Sequence, residues 1–302
     1  MLTSTSHSSF IMRAFSFETH LNFIDFIDKC RIHDEHAIVI SGGPNMDYTE
    51  LKETMKKYPN AFTICVKHAY PNLIKNGIKP NSCILLDPRS IDGESTHGIK
   101  RKDLLKDIVP ETKFLVASMT DPSVTNYLIE KKADIWGWHA FSESLRDDEE
   151  RKTVIRNNQV KIRDDIGLPA GATLITGGTC AAMRALGIMH TLGFRFFELF
   201  GFDSNTAEPT EEQKKETTGA EGEEARPKYF KVSVGKEEFW TTGELLALAQ
   251  DCEKYFNESP MEMDINFHGN NTLVSALWKL SNRYKLSKIA CSHLPMIFRV
   301  VI

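Results

Sequence analysis

Short apolar runs alternate with amphipathic segments along most of the chain. Runs rich in β-branched residues predict strands at 37–41, 61–66, 82–87, 113–118 and 133–137. Between these runs, apolar residues at helical spacing predict helices at 47–58, 69–76, 100–108 and 122–131. Strands separated by single helices and short loops are typical of parallel βαβ units with helices on both faces of a sheet. The pattern predicts a doubly wound, mainly parallel, Rossmann-like α/β fold.

The same alternation continues towards the C-terminus. A helix at 178–192 and a strand at 194–200 follow, and residues 229–241 alternate with period two around Gly235-Lys236, which predicts a β-hairpin. The last predicted elements are a helix at 243–257, a strand at 262–266 and a helix at 271–283. Near the N-terminus, apolar residues between Phe17 and His33 recur at helical spacing. We therefore expect a helix there, packed on the main domain, and a helical appendage at the other end.

Two polar segments interrupt this pattern. Residues 141–167 are dominated by charge, which indicates a helical excursion or a lid, and residues 205–227 are too polar to bury an apolar face. The predicted organisation has four parts. They are an N-terminal tail and packing helix (1–34), a Rossmann-like nucleotide-binding domain (35–205), a disordered acidic loop (206–228), and a hairpin with C-terminal helices that complete the same domain (229–302).

Composition narrows the class of protein. With 302 residues, a net charge of -4 and a pI of about 6.2, the chain lacks the basic excess that a nucleic-acid-binding face requires. Its six cysteines show no CxxC spacing, which favours reduced thiols over zinc ligands. No apolar stretch approaches the roughly 18 residues of a membrane span, and no signal peptide is recognisable. We expect a cytoplasmic protein without a membrane span.

Two small-residue turns are candidates for binding an anion. Ser41, Gly42, Gly43, Pro44 and Asn45 follow the first strand of the main domain, where a ligand can approach the backbone closely. The second turn precedes the helix at 178–192 and contains Thr176, Gly177, Gly178 and Thr179. Its amides would lie at a helix N-terminus, which favours phosphate. A simple tight turn and an ordinary helix cap are the alternatives, but the pair of turns suggests a nucleotide site.

Charged and imidazole side chains follow several of the strands. Asp87 and Asp203 each come directly after an apolar run, and if both strands were central they could share Mg²⁺ carrying a triphosphate. Arg89 would then neutralise phosphate charge. The alternative is that each aspartate caps the next helix. Three histidines could contact substrate or be structural: His68 and His139, which follow predicted strands, and His268, which lies in a polar turn.

These motifs, in this order, resemble the family of 6-hydroxymethylpterin pyrophosphokinase-like (MptE-like) proteins, which also contains motility accessory factors. The segments that carry the resemblance are 38–45, 73–80, 86–88, 176–179, 192–194, 200–203 and 265–269. The resemblance implies a Rossmann-like domain that binds a nucleotide and Mg²⁺ and transfers diphosphate from ATP to a pterin hydroxymethyl group. It also implies a nucleotide-side turn at 42–44, a metal-side carboxylate at Asp87, a phosphate loop at 176–179, and Asp203 completing the site. Asn45 departs from the family, which often has serine there.

The two turns are also similar to those of bacterial sialyltransferases that use CMP-sugars. Those enzymes carry a histidine base shortly before the penultimate helix, where this chain has Phe239-Trp240-Thr241. We therefore place a Mg²⁺-assisted diphosphotransferase acting on a small-molecule acceptor first. A glycosyltransferase that uses a CMP-activated nonulosonate or a similar nucleotide sugar comes second, and a non-catalytic nucleotide-binding protein third.

Overall fold

The computed structural model describes residues 22–23, 32, 34–94, 99–140, 174–175, 177, 180–215, 229–258, 263–269 and 272–280. The strands are β1 (Asn22–Phe23), β2 (His36–Ile40), β3 (Phe62–Val66), β4 (Ser82–Leu85), β5 (Lys113–Ala117), β6 (Asp134–Ala140), β7 (Leu174–Ile175), β8 (Phe196–Phe200), β9 (Tyr229–Val234), β10 (Glu237–Thr242) and β11 (Asp264–Phe267). The helices are α1 (Tyr48–Lys57), α2 (Tyr70–Lys75), α3 (Arg101–Leu104), α4 (Pro122–Glu130), α5 (Ala181–Thr191), α6 (Glu211–Lys215), α7 (Gly243–Glu258) and α8 (273–280).

Nine of these strands form one parallel sheet. Its order is β1-β6-β5-β4-β3-β2-β8-β11, with β7 beside β6. The chain lays down β2 to β6 in one direction and then returns to place β8 and β11 on the other side of β2. The predicted doubly wound α/β fold is confirmed. The strand order reverses between β2 and β8, and in open parallel sheets the crevice outside the carboxyl ends at such a switch point binds ligands.

The central strands are apolar because helices cover both faces of the sheet. Ala37, Ile38, Val39 and Ile40 of β2 are fully buried. Helix α5 contacts β2, β3 and β4, and nearly all of its length is buried. Burial of each valine and isoleucine side chain of β2 contributes roughly 1.5–3 kcal/mol and holds this strand in the core.

Helix α1 begins immediately after the turn at 41–45. The carboxylate of Asp47 accepts hydrogen bonds from the amides of Thr49 and Glu50, at 2.8 and 3.2 Å, and so caps the helix. Asp121 caps α4 in the same way through the amide of Ser123. These local signals explain why most predicted elements agree with the observed ones to within a few residues.

Three predictions about local structure need correction. Residues 22–23, predicted within a helix, form β1 and pair with β6, because an open strand edge offers unpaired backbone groups. Leu174 and Ile175, where no strand was predicted, form β7 against β6. The acidic segment predicted to be disordered contains α6, which begins with a capping box between Thr210 and Gln213. The segments 141–173 and 216–228 and the tail 281–302 lie outside the described residues.

The predicted hairpin forms from β9 and β10 and leads directly into α7. The hydroxyl of Thr241 donates to the carbonyl of Ser204 at 2.9 Å, and the backbone of Thr206 pairs with Trp240. The hairpin therefore braces the loop that follows β8. Within the described part of the chain, no helix has the length and apolar character needed to cross a bilayer.

Candidate functional site

The turns that leave β2 and β8 pack backbone against backbone. We call residues 41–45 and 201–205 the switch-point turns. The amide of Ser41 donates to the carbonyl of Phe200 at 2.8 Å, and that of Gly43 to the carbonyl of Gly201 at 3.0 Å. A Cβ on Gly43 would lie 2.5 Å from the Gly201 carbonyl oxygen. Gly201 has φ +67° and a Cβ there would lie 2.7 Å from the Ser41 carbonyl oxygen. Glycine is therefore needed at both positions for the close approach.

This packing changes the interpretation of the first turn. The amides of Gly43 and Asn45 donate to Gly201 and Asp203, so they hold the protein together. Gly42, Pro44 and Asn45 are exposed at the mouth of the crevice. The turn thus positions Asp203, and contact of its exposed residues with a nucleotide stays a prediction.

Asp203 is the most unusual polar group at the switch point. It is only 3% exposed, and its Oδ2 accepts a hydrogen bond from the amide of Asn45 at 2.8 Å. Its Oδ1 is buried and has no hydrogen-bond partner among the described residues. Burial raises the pKa of Asp203, although the bond from Asn45 opposes this. Such a group is costly in a folded protein, and buried acids with raised pKa values are concentrated at functional sites.

The backbone around Asp203 is fixed from two sides. Its carbonyl accepts a hydrogen bond from the amide of Leu273, at the start of α8, at 3.0 Å. Ser204, the next residue, adopts a left-handed conformation with φ 54°. Residues other than glycine take this conformation only at an energetic cost, which the surrounding structure must offset. The fold therefore holds this carboxylate in a defined position.

His268 belongs to the same neighbourhood but is fully engaged. A Cβ on the following residue, Gly269, would lie 3.3 Å from the Asn45 carbonyl oxygen, so this turn borders the switch-point turns. The His268 ring stacks on Phe200, and its nitrogens lie 2.5 Å from Glu198 Oε2 and 2.8 Å from Glu50 Oε1. Burial lowers the pKa of His268, but these two carboxylates outweigh it and raise the pKa overall. The geometry is that of an imidazolium clamped between two elements.

The other two histidines lie in different surroundings. His68 is half-buried in the turn after β3, and a Cβ on Gly42 would lie 3.3 Å from its Cβ, so it borders the first switch-point turn. His139 lies inside β6, which extends to Ala140 and is four strands away from β2. Burial lowers the pKa of His139 to about 4. The prediction that His139 follows a strand is therefore wrong, and the residue lies away from the switch point.

Asp87 lies at the same edge of the sheet, after β4, and is surrounded by cations. Its Oδ2 is 2.5 Å from Lys67 Nζ and 3.2 Å from Arg101 Nε, and its Oδ1 is 2.9 Å from Arg89 Nε. Burial would raise the pKa of Asp87, but the hydrogen bonds from Arg89 and Lys67 lower it overall. The surrounding cations therefore favour the ionised form of Asp87. Sequence reasoning missed Lys67 and Arg101, although Lys67 directly precedes His68 at a strand end.

We asked whether Asp87 and Asp203 fit a shared magnesium ion. Adjacent strands are about 4.8 Å apart, so β4 and β8, three spacings apart in the sheet order, are separated by about 14 Å. Both oxygens of Asp87 already contact cations. Among the described residues, no group of three or more His, Cys, Asp or Glu side chains is arranged so that it could hold a metal ion. The described residues do not fit the shared site, and the magnesium ion stays a prediction without a described ligand set.

The second predicted anion turn is only partly described. Thr176, Gly178 and Thr179 lie outside the described residues. Gly177 has φ 138°, and a Cβ there would lie 2.8 Å from the Met183 carbonyl oxygen, so it packs on the first turn of α5. Because β7 runs parallel to β6, the chain leaves β7 at the carboxyl edge of the sheet. Gly177, which follows β7, therefore lies at the same edge of the sheet as the switch-point turns. Phosphate binding at 176–179 stays a prediction.

Comparison with known proteins identifies a family and solved structures of similar fold. The family described as 6-hydroxymethylpterin diphosphokinase MptE-like matches residues 9–208. The structure of the Maf glycosyltransferase from Magnetospirillum magneticum AMB-1 aligns with a TM-score of 0.50 and 13% identity. The alignment covers 93% of this chain and 42% of that one, so this chain spans less than half the length of that glycosyltransferase. No curated protein matches the chain.

Proposed function

Because the chain belongs to the 6-hydroxymethylpterin diphosphokinase MptE-like family, we propose that it is a nucleotide-dependent transferase whose donor binds in the crevice between β2 and β8. The family and the structural neighbour support a transferase-like function. The observation that carries the proposal is Asp203, a buried carboxylate at the switch point with one oxygen that no described group satisfies.

The proposed reaction is transfer of diphosphate from ATP to a hydroxymethyl group of a pterin-type acceptor. The acceptor hydroxyl oxygen forms a bond to the β-phosphorus, the bond from that phosphorus to the α,β-bridging oxygen breaks, and AMP leaves. The hydroxyl proton passes to Oδ1 of Asp203, whose raised pKa makes it a better proton acceptor than an ordinary aspartate. Arg89, whose side chain is half exposed, neutralises phosphate charge.

Most of the rate would come from positioning and electrostatics. The hydrogen bond from Asn45 and the contact of the Asp203 carbonyl with α8 fix the carboxylate before substrate arrives. We assign no step to a metal ion, because the described side chains do not form its coordination sphere. Whether ATP binds with Mg²⁺ is decided by titrating the protein with ATP in the presence and absence of the metal.

A second candidate is glycosyl transfer from a CMP-activated nonulosonate. The observation that favours it is the fold, which this chain shares with a solved glycosyltransferase. A buried carboxylate base can also accept the proton of an acceptor hydroxyl in glycosyl transfer, so Asp203 serves both reactions. Identity of 13% relates the folds and not the reactions, and for this reason we place diphosphate transfer first.

The test combines nucleotide binding with turnover of a variant. Stabilisation by ATP against thermal unfolding supports the first reaction, stabilisation by CMP supports the second, and stabilisation by neither overturns the proposal. Formation of AMP from ATP and a hydroxymethylpterin is then measured for the wild type, Asp203→Asn and Asp92→Asn. Asp92 is an exposed aspartate and provides a matched control. We expect Asp203→Asn to fold and lose turnover, and full turnover in that variant would refute the assignment.

A further inference from the structure

The surroundings of Asp87 contain more positive charge than the described protein neutralises. Lys67, Asp87 and Arg101 are each at most 7% exposed. Two buried cations and one buried carboxylate leave a net charge of +1, and Arg89, with a half-exposed side chain, raises it to +2. Among the described residues, Asp87 is the one carboxylate that contacts these three cations. A buried charge without compensation is unfavourable by several kcal/mol, so a second anion is expected here.

The hydrogen bonds of the cations leave donors available. Lys67 Nζ donates to Asp87 Oδ2, which accounts for one of its three N–H groups, and no other described group accepts from it. Arg101 donates through Nη1 and Nη2 to the carbonyls of Ser90 and Glu94, at 2.7 and 2.5 Å. Its Nε lies 3.2 Å from Asp87 without forming a hydrogen bond. Arg89 donates through Nε to Asp87, and its side chain is about half exposed. The cluster therefore has N–H donors available for the oxygen atoms of a ligand.

This cluster is continuous with the switch point. Lys67 follows β3, the neighbour of β2, and the next residue, His68, borders Gly42. Asp87 follows β4, so the cluster begins about 5 Å and ends about 10 Å from β2 along the edge of the sheet. A nucleotide bound in the crevice beside the switch-point turns can therefore reach this cluster with its phosphate chain.

We infer that Lys67, Arg89 and Arg101, oriented by Asp87, bind the terminal phosphate groups of a nucleoside triphosphate. The inference rests on the proposed function and adds to it the place where the transferred diphosphate is held. Asp87 is then a positioning residue that fixes three cations and contacts no metal. Charge-assisted hydrogen bonds to phosphate supply the electrostatic stabilisation that phosphoryl transfer needs.

The test compares ATP with AMP, because AMP lacks the terminal phosphates. Dissociation constants of both are measured by calorimetry for the wild-type full chain, for Arg89→Ala and for Lys102→Ala. Arg89 is chosen because its half-exposed side chain can be removed without opening the core. Lys102 is a half-exposed lysine of α3 that pairs with Asp92. We expect Arg89→Ala to weaken ATP about tenfold or more and AMP less than twofold, and Lys102→Ala to change neither.

The outcomes separate the inference from the proposed function. If the wild type binds ATP no more tightly than AMP, or if Arg89→Ala weakens both nucleotides equally, the inference is wrong and the nucleotide site at the switch point stands. If the wild type binds neither nucleotide, or binds CMP instead, diphosphate transfer is overturned and the inference with it. Loss of ATP affinity in Lys67→Met, with AMP affinity kept, would support the inference independently and would also show that this variant is folded.

Discussion

Gly42 and Gly43 are neighbours in the first switch-point turn, but their surroundings in the structure differ greatly. Neither has a positive φ, so both positions accept an L-residue as far as the backbone is concerned. A Cβ on Gly43 would lie 2.5 Å from the Gly201 carbonyl oxygen and closer still to the Asp203 carboxylate. A Cβ on Gly42 would meet His68 Cβ at 3.3 Å, at an exposed position. Substitution of each by alanine therefore tests the packing of the two turns.

The size of the effect follows from what must move. In Gly43→Ala the new methyl group displaces backbone, because a carbonyl oxygen cannot rotate away as a side chain does. Overpacking of this kind costs about 1–3 kcal/mol. Separation of the turns also weakens the hydrogen bond from Gly43 to Gly201, which contributes about 1 kcal/mol. We expect Gly43→Ala to lower the free energy of unfolding by about 2–4 kcal/mol and Gly42→Ala to change it by less than about 0.5 kcal/mol.

Urea denaturation followed by circular dichroism measures both variants against the wild type. At a typical dependence on denaturant, Gly43→Ala should unfold roughly 1 M earlier, with an unchanged slope. ATP binding should weaken in the same variant, because Asp203 shifts with the turn. Equal midpoints for Gly42→Ala and Gly43→Ala would show that the two turns do not approach as described, and the placement of Asp203 would fall with them.

Three further variants test the charges and the second turn. Asp203→Asn should be at least as stable as the wild type at pH 7, because the raised pKa disfavours the charged form in the folded state. Urea denaturation should show that this difference disappears as the pH falls towards 3.8, the ordinary pKa of an aspartate. A large loss of stability in Asp203→Asn at pH 7 would contradict the prediction. The pKa of His268 is raised above 6.5 in the folded protein, so the stabilisation that its protonated ring provides is complete below pH 6.5 and is lost as the pH rises through the folded pKa. His268→Gln should therefore lower Tm more at pH 6 than at pH 9. Gly177→Ala combines φ 138° with a Cβ 2.8 Å from the Met183 carbonyl oxygen, and titration should show ATP bound several-fold more weakly.

The sequence was a good guide to elements whose signals are local. Apolar runs bounded by Gly, Pro or Asp predicted the strands, and Asp47 and Asp121 lie where helix caps are expected. The capping box of Thr210 was equally local and was missed because its segment is polar. Strand β1 could not be predicted in this way, since it forms by pairing with β6, more than 100 residues away in the chain.

The candidate site could be predicted only in part from the sequence. Strand ends can be read from the sequence, and this placed both switch-point turns and both aspartates at the carboxyl edge. The order of strands within the sheet is a tertiary property, and it separates Asp87 from Asp203 by three spacings. Lys67 and Arg101 became visible only when β3, β4 and the loop before α3 were brought together.

The two aspartates have opposite environments, and this is the main reason to give them different roles. Cations lower the pKa of Asp87, whereas burial with a single backbone bond raises the pKa of Asp203. A carboxylate held ionised by three cations is a poor proton acceptor and a good organiser of positive charge. One that is reluctant to ionise can take a proton from a hydroxyl and release it again. In the proposed reaction the cations around Asp87 hold the terminal phosphates and Asp203 receives the proton, so the attacking hydroxyl has to lie between them, within reach of the β-phosphorus and of Asp203 Oδ1. Because AMP leaves in line with the attack, the nucleoside then lies on the side of the phosphate chain away from Asp203.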